Sequence, residues 1–174
     1  SFKALRVSDS MFQGTTCYGY NDIGRETLEK IYADVFGGEA ALVRHSIANG
    51  TQAITIALFG LLRPGDVMLS VADRPYDTLC SVVGMNGANG DGSLADFEIS
   101  YDQVDLKDGK LDFDKIEEKI KLHGPALKVV FVQRSKGYLN RPTLTVSQIG
   151  ELCSFVHEKC SAYVVVDNCY GAFT

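Results

Sequence analysis

The chain has 174 residues, 45% of them apolar, and a formal net charge of −5 from 17 basic and 22 acidic side chains, which is the composition of a globular domain with material for one core. An acidic balance without a dense basic stretch argues against nucleic acid or an anionic membrane surface as the main partner. The apolar runs fall short of the ~20 residues that span a bilayer, and no charged-then-apolar leader opens the chain. It starts at Ser1 without Met and stops at Thr174 just after an apolar run, so it reads as a piece of a longer protein. The cytoplasm is the expected location, with organellar targeting left open by the cut start.

Residues 1–23 are expected to be loop: in Gln13 to Asp22 glycines alternate with aromatics and no period persists. From Gly24, the spacing of Leu28, Ile31, Tyr32 and Val35 predicts a helix with one buried face, stopped at Gly37-Gly38. Ala40 to Val43 reads as a strand. Ile54, Ala57, Leu58, Leu61 and Leu62 follow the helical period after the turn Asn49-Gly50-Thr51. Arg63-Pro64-Gly65-Asp66 is a turn, Val67 to Val71 a buried strand, and a helix begins near Thr78 and fades in the glycine-rich 84–92. Phe97, Ile99 and Tyr101 alternate as an edge strand. Asp112 to Leu122 and Val146 to Lys159 read as helices, Lys128 to Val132 and Tyr163 to Asp167 as buried strands. Strands alternating with helices predict an α/β fold, a mostly parallel sheet with helices on both faces. The five cysteines form no C-x-x-C pair and no histidine cluster accompanies them, which suits reduced thiols and no metal; Cys153 and Cys160 share a helical face.

In parallel sheets ligands bind beyond the carboxyl ends of the strands. Four segments qualify and are expected to converge: Asn49 to Thr51, Asp73 to Tyr76, Gln133 to Tyr138 and Asp167 to Tyr170. The first opens a helix, whose unpartnered amides and dipole suit a phosphate; an ordinary cap by Asn49 or Thr51 is the plainer alternative. Asp167 closes an apolar run, where a carboxylate needs a cation or donors, such as a protonated ring nitrogen, or else serves as a cap or a partner for Arg134. Tyr76 is placed to stack on a planar ligand or to pack. Arg134 is suited to a carboxylate, bidentately, or to a structural ion pair.

These residues carry a resemblance. Tyr20 to Leu28, Gly37 to Leu42, Asn49-Gly50-Thr51, Arg63 to Asp66, Pro75 to Thr78, Gln133 to Tyr138 and Val166 to Gly171 are similar, in order and spacing, to the pyridoxal-phosphate enzymes of cysteine and methionine metabolism. Within them the chain resembles the aluminium-resistance and methionine gamma-lyase-related branch. The resemblance implies the fold type I large domain, a mostly parallel seven-stranded sheet, here partial over residues 24–174, working as a homodimer or homotetramer. It implies pyridoxal 5'-phosphate as cofactor: Asn49, Gly50 and Thr51 at the phosphate, Tyr76 on the pyridine ring, and Asp167 at the ring nitrogen. Tyr20 and Arg25 would reach a neighbouring subunit's phosphate and Arg134 the substrate. Tyr76 and Asp167 would be the catalytic pair.

The chain departs from the branch in three places. Asn49-Gly50-Thr51-Gln52 stands where Ser-Gly-Thr-His is usual, and Tyr170-Gly171-Ala172 where Tyr-Gly-Glu is usual. The lysine that binds the cofactor belongs to a segment further on, and neither Lys128 nor Lys136 matches it. The function implied for the complete protein is a carbon-sulfur lyase acting on a sulfur amino acid such as cystathionine, cysteine or methionine, by loss of the α proton and elimination of a thiol. A non-catalytic interaction protein on the same fold, and a nucleotide-binding α/β domain, are the alternatives. The second lacks a phosphate-loop motif. A sheet missing the strands that would flank Tyr163 to Asp167 is expected to leave this stretch marginally stable alone.

Overall fold

The structure is a computed structural model that describes residues 1–15 and 22–171. It falls into two compact units, Ser1–Ala48 and Asn49–Thr174.

In the first unit a 3-10 turn, Asp9–Phe12, precedes helix α1, Ile23–Phe36. The Asp22 side chain caps α1 by accepting from the Arg25 amide, and Gly37 closes it at φ 66°, a conformation that glycine adopts without a Cβ clash. A close approach also explains Gly24, where an added Cβ would lie 2.0 Å from the Met11 carbonyl oxygen. The expected buried face is only partly buried: Ile31 is enclosed, whereas Leu28, Tyr32 and Val35 stay exposed. Nor does the apolar run after Gly38 form a strand. Val43 donates its amide to Glu29 Oε1 (3.0 Å) and no ladder forms, because a strand requires a neighbour to pair with, and apolarity alone supplies none.

The second unit is a four-stranded parallel sheet in the order β2-β1-β3-β4. The strands are β1 (Val67–Ser70), β2 (Ser100–Gln103), β3 (Leu127–Gln133) and β4 (Tyr163–Asp167). Helices α2 (Gly50–Leu61), α3 (Asp77–Val83), α4 (Phe113–His123) and α5 (Val146–Lys159) connect and cover them. Successive side chains of a strand point to opposite faces, and that rule sorts the core. Met68, Val129, Phe131 and Val165 lie on one face with Leu58 and Leu62 around α2 and Leu79 and Val83 of α3. Leu69, Val130, Val132 and Val164 lie on the other with Ile116 and Ile120 of α4 and Leu152 and Val156 of α5. Both faces are therefore covered, which is why the strands read as unbroken apolar runs. Full burial of a side chain such as Phe131 contributes about 2–3 kcal/mol.

The helix ends follow their sequence signals. Asp112 caps α4, and Thr145 and Gln148 form a reciprocal capping box at α5, contacts typically worth about 1 kcal/mol each. Two expectations change here. Phe97 belongs to a 3-10 turn, Leu94–Phe97, because Glu98 at φ 59° breaks the extended backbone, and β2 starts only at Ser100. Cys160 sits in extended backbone just past α5, so it does not share a helical face with Cys153; its side chain packs against the α4/α5 core instead. Cys80, Cys153, Cys160 and Cys169 are free thiols, while Cys17 lies outside the described residues. Among the described residues no helix is long and apolar enough to cross a membrane, and no group of His, Cys, Asp or Glu is placed to hold a metal ion.

Candidate active site

The parity of the strands decides what faces α2 and α3 at the carboxyl end of the sheet. Two residues beyond Phe131 comes Gln133, and two beyond Val165 comes Asp167, so both side chains share the face on which α2 and α3 pack. Gln133 and Asp167 are also register partners across β3 and β4. Both are buried polar residues, 4% and 8% exposed, at the ends of apolar strands, where a polar group must find partners.

Gln133 Oε1 accepts the Tyr76 amide at 3.0 Å. The Tyr76 hydroxyl in turn donates to Thr51 Oγ1 at 3.2 Å, and Thr51 Oγ1 lies 2.9 Å from Thr78 Oγ1. Asp167 Oδ1 accepts the Cys169 amide at 3.0 Å, and the Asp167 carbonyl accepts the Arg134 amide at 3.0 Å. Burial pushes the Tyr76 phenol above its ordinary pKa, the bond to Thr51 works the other way, and the Asp167 carboxylate adds to the rise. Tyr76 therefore stays a protonated donor through the neutral range.

At the start of α2 the Asn49 side chain accepts from the Gln52 amide (2.9 Å) and the Asn49 carbonyl from the Ala53 amide (3.1 Å). The Gly50 and Thr51 amides are first-turn donors to which no helical acceptor falls. A Cβ built on Gly50 would meet nothing within 4 Å, so the space above the turn is open. The donor set suits a phosphate: two amides at a helix N-terminus beside the hydroxyls of Thr51 and Thr78. A phenol and a buried carboxylate on the same sheet face suit the ring and the protonated nitrogen of a pyridine. The residues present thus fit pyridoxal 5'-phosphate.

The structure brings Asn49, Gly50, Thr51, Tyr76 and Asp167 to one end of the sheet. Arg134 is there too, but its guanidinium is turned into the protein, 9% exposed. Its Nε donates to the Leu144 carbonyl (3.1 Å) and its Nη1 to Asn168 Oδ1 (3.0 Å) and the Gly171 carbonyl (2.5 Å). Arg25 belongs to the first unit, where it faces Asp22 (Nη2 to Oδ2 3.4 Å) and helps to line a cavity of about 370 Å³. Tyr20 and Ala172 lie outside the described residues. Sequence reading placed Gln133 only within the 133–138 segment, without a role of its own, and singled out neither Thr78 nor Arg141. For Gln133 a signal existed, since it ends a buried strand with the same parity as Asp167; for the other two, set by long-range contacts, there was none.

Comparison with known proteins identifies the family of the chain. The sequence model of the family described as Methionine gamma-lyase matches residues 1–174. The uncharacterized protein YnbB of Bacillus subtilis (strain 168) is 55% identical over 99% of this chain and 41% of its own length. A candidate cystathionine beta-lyase involved in aluminium resistance from Clostridium acetobutylicum has a crystal structure that superposes with a TM-score of 0.90. It is 43% identical over 96% of this chain and 40% of that one. A more distant likeness, 18% identical with a TM-score of 0.54, covers 99% of this chain and 43% of a lysine-to-alanine mutant of C-DES that carries glycine covalently linked to its PLP cofactor; it shows the shared fold. The chain spans about two fifths of the length of the first two relatives.

Proposed function

We propose, since the chain belongs to the methionine gamma-lyase family, that the complete protein is a pyridoxal-phosphate-dependent carbon-sulfur lyase of sulfur amino-acid metabolism and that residues 49–174 supply the main part of its cofactor site. The observation that carries this reading is the Tyr76 hydroxyl bonded to Thr51 at the head of α2, with the Asp167 carboxylate buried on the same sheet face. The relatives named above include a candidate cystathionine beta-lyase and, more distantly, a protein that carries a PLP cofactor.

The cofactor would supply an electron sink that stabilises a carbanion at the substrate α carbon. The residues of this chain bind and orient it. The Gly50 and Thr51 amides and the Thr51 hydroxyl bind the phosphate in the field of the α2 dipole. Tyr76 would lie against the ring and, held protonated, would present a donor and not a base. Asp167 keeps a proton on the ring nitrogen, because a carboxylate that is largely removed from water favours a cation beside it. Arg134 orders the 168–171 loop through Asn168 and Gly171 and is the residue proposed to take the substrate carboxylate. Sulfur-containing amino acids as substrates, a homodimer or homotetramer, Tyr20 and Arg25 at a neighbouring subunit's phosphate and a cytoplasmic location complete the proposal.

The test is a titration of the complete protein with pyridoxal phosphate followed by an assay for thiol release from cystathionine, cysteine and methionine. Saturable binding with a shifted cofactor absorbance, together with thiol release from at least one of the three, is expected. No absorbance change at saturating cofactor would end the proposal.

A further inference from the structure

Tyr76 is held at three points, and two of them are explained by the site itself. Its hydroxyl is bonded to Thr51, and its carbonyl accepts the Leu79 and Cys80 amides as the start of α3. The third is the Tyr76 amide, which crosses 57 residues of sequence to Gln133 Oε1. An amide side chain is chosen there for a physical reason. Gln133 Nε2 donates to the Ser135 carbonyl at 3.0 Å, so one end of the group accepts from a backbone N–H and the other donates to a backbone C=O. The two bonds fix which way the amide points, and at 4% exposure water cannot replace either.

Arg141, 9% exposed, completes the arrangement. Its Nη2 donates to the Gln133 and Ser135 carbonyls, both at 2.8 Å, and its Nη1 to the Pro142 carbonyl at 3.2 Å. The Nε lies 3.4 Å from Asp73 Oδ2, too long for a good hydrogen bond but close enough for strong attraction at so buried a site. Asp73, three residues before Tyr76, holds φ 63° and accepts the Leu106 amide through Oδ1. The loop that carries Tyr76 is thus tied to the carboxyl end of β3 twice, at Tyr76 by Gln133 and at Asp73 by Arg141.

We infer that Gln133 and Arg141 are positioning residues: Arg141 braces the end of β3 so that the Gln133 amide fixes the Tyr76 backbone, and with it the plane of the ring beside Asp167. This rests on the reading of Tyr76 as the residue that faces the cofactor ring. Neither residue touches cofactor or substrate; both act through Tyr76.

The experiment uses the complete protein, labelled with carbon-13 at the tyrosine ζ position, and compares the parent with Gln133→Leu, Gln133→Glu and Arg141→Lys. Tyr76→Phe assigns the resonance. Two quantities are read: the titration of the Tyr76 phenol without cofactor, and the dissociation constant for pyridoxal phosphate. In Gln133→Leu, which loses both bonds at similar size, the phenol should titrate nearer its ordinary value and the cofactor should bind about tenfold more weakly. Gln133→Glu keeps an acceptor for the Tyr76 amide and should leave the phenol elevated. Arg141→Lys keeps a cation beside Asp73 but loses the fork, and should move the phenol in the same direction as Gln133→Leu. A folded Gln133→Leu with the parent's phenol titration and cofactor affinity overturns the inference. If that variant does not fold, an unchanged phenol in Arg141→Lys overturns it and a displaced one supports it. If the phenol responds while the parent binds no cofactor, the positioning role stands and the cofactor reading falls.

Discussion

Thr51 sits where three functions of one small side chain meet: it follows the cap, its Oγ1 accepts from Tyr76, and it lies within hydrogen-bond distance of Thr78. Thr51→Val preserves shape and removes the hydroxyl. In the complete protein it is expected to weaken pyridoxal phosphate by roughly tenfold while changing the affinity for pyridoxal, which lacks the phosphate, much less. Parallel titrations with the two ligands check this, and equal losses would place the hydroxyl's action away from the phosphate. Arg134→Met tests a structural role, since the Leu144 and Gly171 carbonyls and the Asn168 side chain all lose a donor. Denaturant unfolding should show a loss of about 3 kcal/mol, the cost of stranding buried acceptors. Asp102 offers a pH-dependent test remote from the chemistry. Burial there works against the charged form, but bonds from Lys119, His123 and the Gln103 amide outweigh it and hold the carboxyl below its ordinary pKa. A depressed folded value means stability that is present above the unfolded value and lost as pH falls through the folded one. Thermal melts of the parent and Asp102→Asn should therefore differ most near neutrality and converge in acid.

At the scale of elements, β4 is the informative strand. Among the described residues it pairs with β3 alone, and Tyr163 is 57% exposed and Val166 37% exposed along it. An apolar edge with unpaired backbone groups recruits other edges. Residues 1–174 prepared alone are therefore expected to associate, with Tyr163→Lys slowing the association; light scattering reads both, and a chain that stays monomeric would contradict the expectation. The same elements show what local sequence can carry. Val146–Lys159 and Tyr163–Asp167 match the expected bounds residue for residue, because a capping box and a β-branched apolar run are local signals, although β4 is less buried than expected, with Tyr163 and Val166 exposed. The expected strand at Ala40 to Val43 and the expected buried face of α1 do not, because each depends on a neighbour that local sequence does not specify. The site divides the same way. Asn49, Gly50 and Thr51 announce themselves by turn chemistry and Asp167 by its place at the end of an apolar run. Gln133 falls within a segment expected at the ligand edge, but its bond to Tyr76 and the part played by Arg141 are legible only once β3 is laid beside the Asp73 loop.

At the scale of the whole molecule, sheet parity converts a list of residues into a site. Because β3 and β4 run parallel and in register, Gln133 and Asp167 arrive side by side on the face that α2 and α3 cover, and the head of α2 brings its open amides to Tyr76. This is the doubly wound logic of ligands at the carboxyl edge, and membership of the methionine gamma-lyase family accords with it. The central claim is that a single pyridine ring with its phosphate occupies this edge. A crystal structure of the complete protein grown with pyridoxal phosphate measures it directly. Density is expected for the phosphate against the Gly50 and Thr51 amides, the ring against Tyr76 and the ring nitrogen at Asp167. Cofactor density elsewhere, with those three groups uncontacted, would contradict it.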